Sequence, residues 1–147
     1  MAKQHRQASR QAYQAIAEKH HQEHTAKRFT REHAVAAGYR PRGGEQHTFG
    51  SKAFWSSYTG RKLKAKGHML PLVYSGVTRD RARMATIVVT TNRGQLKYSV
   101  NALNYQPWTR EEFTRILPTE AAELGQHWDQ IYNRLFNQDL DQGMRFV

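Results

Sequence analysis

Apolar positions in the first 26 residues are sparse and small. Ala8, Ala12, Ala15 and Ile16 fall near one side at three- and four-residue spacing, with Tyr13 beside them. The stretch is rich in Ala, Gln, Lys and Glu and holds neither Gly nor Pro, so the pattern predicts a helix over 2–26. A stripe made mostly of alanine buries little area. Such a helix is marginal alone and is expected to act as an arm packed on another subunit. A second helix is predicted from an N-cap at Thr30 through "REHAVAA" to a C-cap at Gly38, with Pro41 shortly after. Residues 40–51, "RPRGGEQHTFGS", hold few apolar side chains and read as a loop open to motion. Phe54, Trp55 and Tyr58 then return to helical spacing, which predicts a short helix within 52–66 that Gly60 interrupts.

The period changes further on. "RMATIVVTT" (83–91) is rich in β-branched residues, and "QLKYSVN" (95–101) alternates Leu96, Tyr98 and Val100 with polar residues. With "NRG" between them as turn chemistry, an antiparallel hairpin is predicted. Beyond it, Thr109 with Glu112 three residues on suggests a capping box and a short helix that Pro118 ends. Thr119 is then expected to cap a longer helix to about Asn137, striped by Leu124, Trp128, Ile131, Tyr132, Leu135 and Phe136. The fold class expected is α+β: an N-terminal helical arm and a small antiparallel sheet with a hairpin, packed by C-terminal helices. Residues 1–50 are expected to form the basic helical arm and loop, and 51–147 the α+β core domain.

Charge sharpens this division. The net charge is +11, and residues 1–66 hold fourteen Lys/Arg against four Asp/Glu, while 67–147 hold nine against eight. The basic half is therefore expected to meet polyanions or acidic protein faces, with salt-dependent strength. Hydrophobic residues make up 38% of the chain, a lean core that favours assembly with partners. The absence of cysteine excludes disulfides, thiolate zinc sites and a cysteine nucleophile. "MAKQHRQASRQ" has no apolar h-region, and no window approaches the roughly 18 apolar residues of a membrane span, so a soluble, non-secreted protein without membrane contact is expected.

Chemistry-bearing residues are plentiful but do not assemble into a catalytic pattern. Arg61, Lys62, Lys64 and Lys66, followed by His68, lie among Trp55, Tyr58 and Tyr74, a mixture suited to phosphate contact and base stacking as well as to acidic proteins. Arg79, Arg81 and Arg83, read as extended chain, would share one face and clamp carboxylates or phosphates. His20 and His24 are one helical turn apart, yet no local carboxylate or thiolate completes a metal shell, and "HHQEH" is not HExxH. No metal and no cofactor are expected. Glu111 and Glu112 sit where they complement a helix N-terminus rather than act as an acid/base pair. Neither a GxSxG elbow nor a phosphate-binding GxxxxGK[ST] loop is present. Trp128 is assigned to the core, Trp108 to an edge or interface, and terminal Phe146 to docking on a neighbour or a fold-back.

The stretch "YTGRKLKAKGHMLPLVYSGVTRDRARMATIVV" resembles phage virion morphogenesis proteins of the neck and tail-completion type, in which a basic segment leads into a "PL…TG.LR" element and then into strands. Pro71, Leu72, Gly76 and Arg79 match as "PLVYSGVTR"; Ser75 stands where the pattern has Thr, Thr78 where it has Leu, and "DRARMATI" replaces a common serine-isoleucine pair. The likeness covers roughly 35 residues and is of moderate specificity. It implies a non-enzymatic structural role at the head-tail junction, in a homo-oligomeric ring that docks acidic faces of other neck or tail proteins. Pro71, Leu72, Gly76, Trp108 and Phe146 would serve as interface anchors, and the seven cations named above as partner-binding residues with some non-specific DNA contact. The expected location is the virion, assembled in the host cytoplasm. The alternative is a basic nucleic-acid-binding accessory protein; a small basic nuclease or toxin using His and Arg without metal, testable at His68, comes third.

Overall fold

The computed structural model describes residues 1–40, 42–70, 77–98 and 107–144. Its elements are α1 (Ala2–Lys19), a π-helical turn (His20–His24), a 3-10 turn (Ala26–Phe29), α2 (Arg31–Ala36), α3 (Lys52–Ser56), α4 (Tyr58–Lys66), α5 (Val77–Ala82), β1 (Ala85–Val89), β2 (Gly94–Tyr98), α6 (Pro107–Thr114) and α7 (Pro118–Met144). The class is α+β, with an N-terminal helix, a two-stranded antiparallel sheet and C-terminal helices. No helix among the described residues is long and apolar enough to cross a membrane. Two compact units interleave along the sequence: the first lies within Met1–His24, Met84–Ser99 and Ile116–Val147, the second within Thr25–Arg83 and Val100–Arg115.

In the first unit the hairpin register pairs Ala85 with Tyr98, Ile87 with Leu96 and Val89 with Gly94. Pleating puts Ala85, Ile87, Val89, Leu96 and Tyr98 on the less exposed face. The alanine stripe of α1 does not wait for another subunit. Ala8, Ala12 and Ala17 are buried within this chain, Ser9 Oγ donates to the Thr91 carbonyl at 2.6 Å, and Tyr13 meets Trp128 of α7 at a ring separation of 5.6 Å. Small side chains are what make this possible. A Cβ at Gly94 would lie 2.8 Å from the Tyr13 carbonyl oxygen and 3.3 Å from the Ala17 Cβ, so strand and helix touch almost backbone to backbone.

Across α1, the long helix supplies the bulk that alanine lacks. Leu124 is buried, and Trp128, Tyr132 and Phe136 stack in sequence with centroids 4.8 and 5.7 Å apart. His5 Nδ1 reaches the Tyr132 hydroxyl at 2.7 Å. Pro118, expected to stop the preceding helix, is instead the first residue of α7. Its missing N–H falls where a helix has no use for one, and Glu120 accepts from the Leu117 N–H at 3.0 Å.

In the second unit Thr30 caps α2 as expected, accepting from the His33 N–H, and Gly38 follows in the left-handed region at φ 81°. Phe29 and Phe113 pack at 5.7 Å. Arg28, also interior at 1% exposed, donates from Nε to the Phe113 carbonyl at 3.2 Å and from Nη2 to the Arg115 carbonyl at 2.9 Å, and also meets His33. Glu112 is not a helix-start group. It accepts the Arg40 N–H at 2.7 Å and pairs with the Arg42 guanidinium at 2.8 Å, while Glu111 pairs with Arg115 one turn on. These long-range partners pin the loop that the sequence left open to motion. Tyr39 donates to Glu45 at 2.6 Å, Arg42 lies over the Tyr39 ring at 4.7 Å, and both the N–H and the hydroxyl of Thr59 donate to the Gly43 carbonyl.

Candidate functional site

The expected single helix over 52–66 is two helices with a corner between them. Ser51 caps α3 by accepting from the Phe54 N–H at 3.1 Å, Ser57 caps α4 by accepting from the Gly60 N–H at 3.2 Å, and Gly67 ends α4 in the left-handed region at φ 73°. Gly60 permits the corner rather than interrupting a helix: a Cβ there would lie 2.1 Å from the Phe54 carbonyl oxygen and 2.7 Å from the Trp55 Cα.

Once the corner forms, α4 has two faces. Thr59, Gly60 and Lys62 turn inward; Tyr58, Arg61, Lys64 and Lys66 turn outward. Lys62 is therefore set apart from the other three cations. Its ammonium donates to the Leu70 carbonyl at 2.6 Å, and burial lowers its pKa from the usual lysine range, with the nearby Glu45 charge acting in the opposite sense. Beside the outward cations stand aromatics that a lone domain would be expected to hide: Phe49 is 67% exposed, Trp55 41% and Tyr58 44%. Phe49 and Trp55 both rest on the buried Phe54 ring at 5.1 Å, so the exposed rings are held by an anchored one. With Lys52 also exposed, residues 49–66 present rings and positive charge on one short stretch.

The arginines beyond it are arranged differently from the expected clamp. Arg79 and Arg81 lie on α5, not in extended chain, and Arg83 follows in the turn after it. Helical residues two apart point in different directions, so the three guanidiniums do not share a face. Arg79 is half-buried, with Nε 3.9 Å from its neighbour Asp80, whereas Arg81 and Arg83 are exposed. Pro71, Leu72, Gly76 and Phe146 lie outside the described residues, as does the Trp108 side chain, although Trp108 belongs to α6.

A second cluster of polar groups occupies the first unit, where the π-helical turn meets α7. His24 is buried; its Nδ1 lies 3.5 Å from Glu120 Oε1 and its Nε2 3.4 Å from Glu123 Oε2. Lys19 Nζ bridges Glu23 at 2.7 Å and Glu123 at 3.0 Å, and those two carboxylates raise its pKa. Two of the carboxylates beside His24, Glu120 and Glu123, come from α7, almost a hundred residues away, while Glu23 belongs to "HHQEH" itself. A signal for one of them was present: Glu120, Leu124 and Trp128 share one helical row, so an acid heads the apolar stripe.

Comparison with protein-family models, with curated proteins and with solved structures gives no match to this chain.

Proposed function

We propose that this chain is a structural component of a tailed-phage virion, a neck or tail-completion protein that assembles in a ring at the head-tail junction by docking on acidic faces of its neighbours. The observation that carries the reading is the set of exposed cations Arg61, Lys64 and Lys66 on a capped, anchored helix, inside the very segment that resembles neck and tail-completion proteins. The role is non-enzymatic and rests on surface complementarity: closed symmetry repeats one interface around the ring, and charge selects the partner and speeds encounter. Lys62 is not one of the docking cations, since its reversal would place a carboxylate in the interior.

The experiment is mass spectrometry of purified particles, combined with the triple change Arg61→Glu, Lys64→Glu and Lys66→Glu. The expected result is a fixed copy number in wild-type particles and a loss of assembled particles in the variant, with unchanged circular dichroism of the isolated chain. Absence of the chain from particles, or an unchanged particle yield, overturns the reading.

Exposed Phe49 and Trp55 favour one second reading, a nucleic-acid-binding accessory protein in which bases stack on the rings while α4 meets phosphates. It predicts retardation of single-stranded DNA with a steep salt slope, lost in Trp55→Ala; binding insensitive to Trp55 would leave only the general attraction of a basic chain.

A further inference from the structure

We infer that Glu23, His24 and Glu123 form a binding site for a divalent transition-metal cation of the zinc class, with Glu120 orienting His24. One ligand atom from each of Glu23, His24 and Glu123 lies within 4.8 Å of the other two. His24 is only 3% exposed and fixed from both sides. Its Nδ1 faces Glu120, and that carboxylate is itself held by the Leu117 N–H at 3.0 Å. Carboxylates thus face both ring nitrogens, and the Glu120 contact at Nδ1 orients the imidazole so that Nε2 points toward Glu123, as an outer carboxylate orients a metal-binding histidine.

Nε2 looks toward Glu123 Oε2 at 3.4 Å. Two ligand atoms each about 2.0–2.1 Å from one zinc ion in tetrahedral geometry stand at nearly that separation. The remaining contraction falls on Glu23 and Glu123, whose side chains are 50% and 46% exposed and would exchange their ion pairs with Lys19 for the metal. The π-helical turn contributes as well: its wider winding carries His24 into the interior and leaves neighbouring Glu23 at the rim, so both approach Glu123. Lys19 supports the assignment electrostatically, because its ammonium already lies where two carboxylates concentrate negative charge. A divalent ion would displace it, and the long lysine stem lets the ammonium move into water. One imidazole and two carboxylates, with water completing the shell, suit zinc, with cobalt and nickel as competitors. Such an ion would clasp the end of α1 to α7.

The test uses the full chain without an affinity tag, titrated with Co2+ and followed by visible absorption, then with Zn2+ by calorimetry. One equivalent is expected in the wild type. Glu23→Gln and Glu123→Gln, both at half-exposed positions and therefore compatible with folding, should each weaken binding by about tenfold or more, and Glu120→Gln by about 10- to 100-fold through the misoriented imidazole. Lys19→Met, which removes the competing ammonium, should tighten it. No uptake at submillimolar metal overturns the inference, and so does uptake that Glu23→Gln and Glu123→Gln leave unchanged, since the ion would then sit on other histidines.

Discussion

The two units bury their interiors with a different balance of charge. The first holds eight Lys/Arg against seven Asp/Glu and closes on alanine, glycine and a ladder of aromatic rings; the second holds fifteen against five and buries Arg28, Lys62 and Glu112. With a net charge of +10 the second unit repels itself, and directed contacts hold it: an arginine on helix-end carbonyls, a carboxylate on a backbone N–H, a tyrosine on a glutamate. Those contacts are exacting, because breaking one strands a buried polar group. The near-neutral unit is exacting chiefly about volume, since its helix and hairpin approach to the point where one added methyl has no room, a constraint the basic unit shares at the Gly60 corner.

The largest effect that would test this contrast is at Arg28. Replacement by methionine keeps most of the volume but strips the Phe113 and Arg115 carbonyls of their donor, and a loss of about 1–3 kcal/mol for each stranded carbonyl is expected. Hydrogen exchange is the measurement. Amides of α2 and α6 should lose protection while those of β1 and β2 keep theirs; equal loss in both units would mean that they open together and that the contrast has no energetic meaning.

Glycine substitutions come next. Gly94→Ala and Gly60→Ala each force a Cβ onto backbone, at 2.8 Å from the Tyr13 oxygen and 2.1 Å from the Phe54 oxygen respectively. Overpacking of this kind costs about 1–3 kcal/mol, with the tighter Gly60 site expected at the upper end or beyond. Urea midpoints measure both, and an unchanged slope would confirm that the native state alone is affected. A harmless Gly60→Ala would mean that the α3–α4 corner can open, and with it the separation of Lys62 from the outward cations.

Much of this was legible in the sequence, and the failures have a common cause. The hairpin, the Thr30 cap with Gly38 after it, and the long aromatic helix follow from local period and capping chemistry. What the sequence hid was which distant group answers a local one. Alanine in α1 read as a weak face because area was the only measure available, whereas its purpose is close approach to Gly94 and Thr91. Glu112 read as a capping group because Arg40 and Arg42 are some seventy residues away. Lys62 read as one of four equal cations because the Ser57 corner, which sets the inward face, was not foreseen. In the candidate surface the outward cations and Trp55 were identifiable; the exposure of Phe49 was not, since an isolated phenylalanine defaults to the core.

A smaller effect separates the units by pH. Burial, reinforced by the hydrogen bond to Glu45, raises the pKa of Tyr39 well above the ordinary phenol range. Above about pH 10 the unfolded chain loses this proton while the folded chain retains it, so stability present below pH 10 falls as pH rises. Lys62 acts in the reverse direction: with its folded pKa lowered, the unfolded chain holds the extra proton between that value and the usual lysine range, and stability rises with pH there. Replacing Tyr39 by Phe should therefore flatten the alkaline decline, and Lys62→Met should steepen it. Denaturation midpoints from pH 8 to 11 decide the matter; identical profiles for wild type and Tyr39→Phe would mean that the buried tyrosine does not control this unit.

The smallest change concerns α7, where volume should matter least in an otherwise volume-limited unit. Gly125 is helical and exposed, and a Cβ built on it meets nothing within 4 Å. Alanine there should stabilise the protein by about 0.5–1 kcal/mol, because glycine gives up more backbone freedom on entering a helix. In a chain of this size that corresponds to a rise in Tm of roughly 2–4 °C, readable by calorimetry. If Gly125→Ala raises Tm in the isolated chain yet lowers the yield of assembled particles, the exposed face of α7 is contacted in the assembly, and the near-neutral unit shares in docking. If both rise or stay level, the proposed docking is left to the basic unit alone.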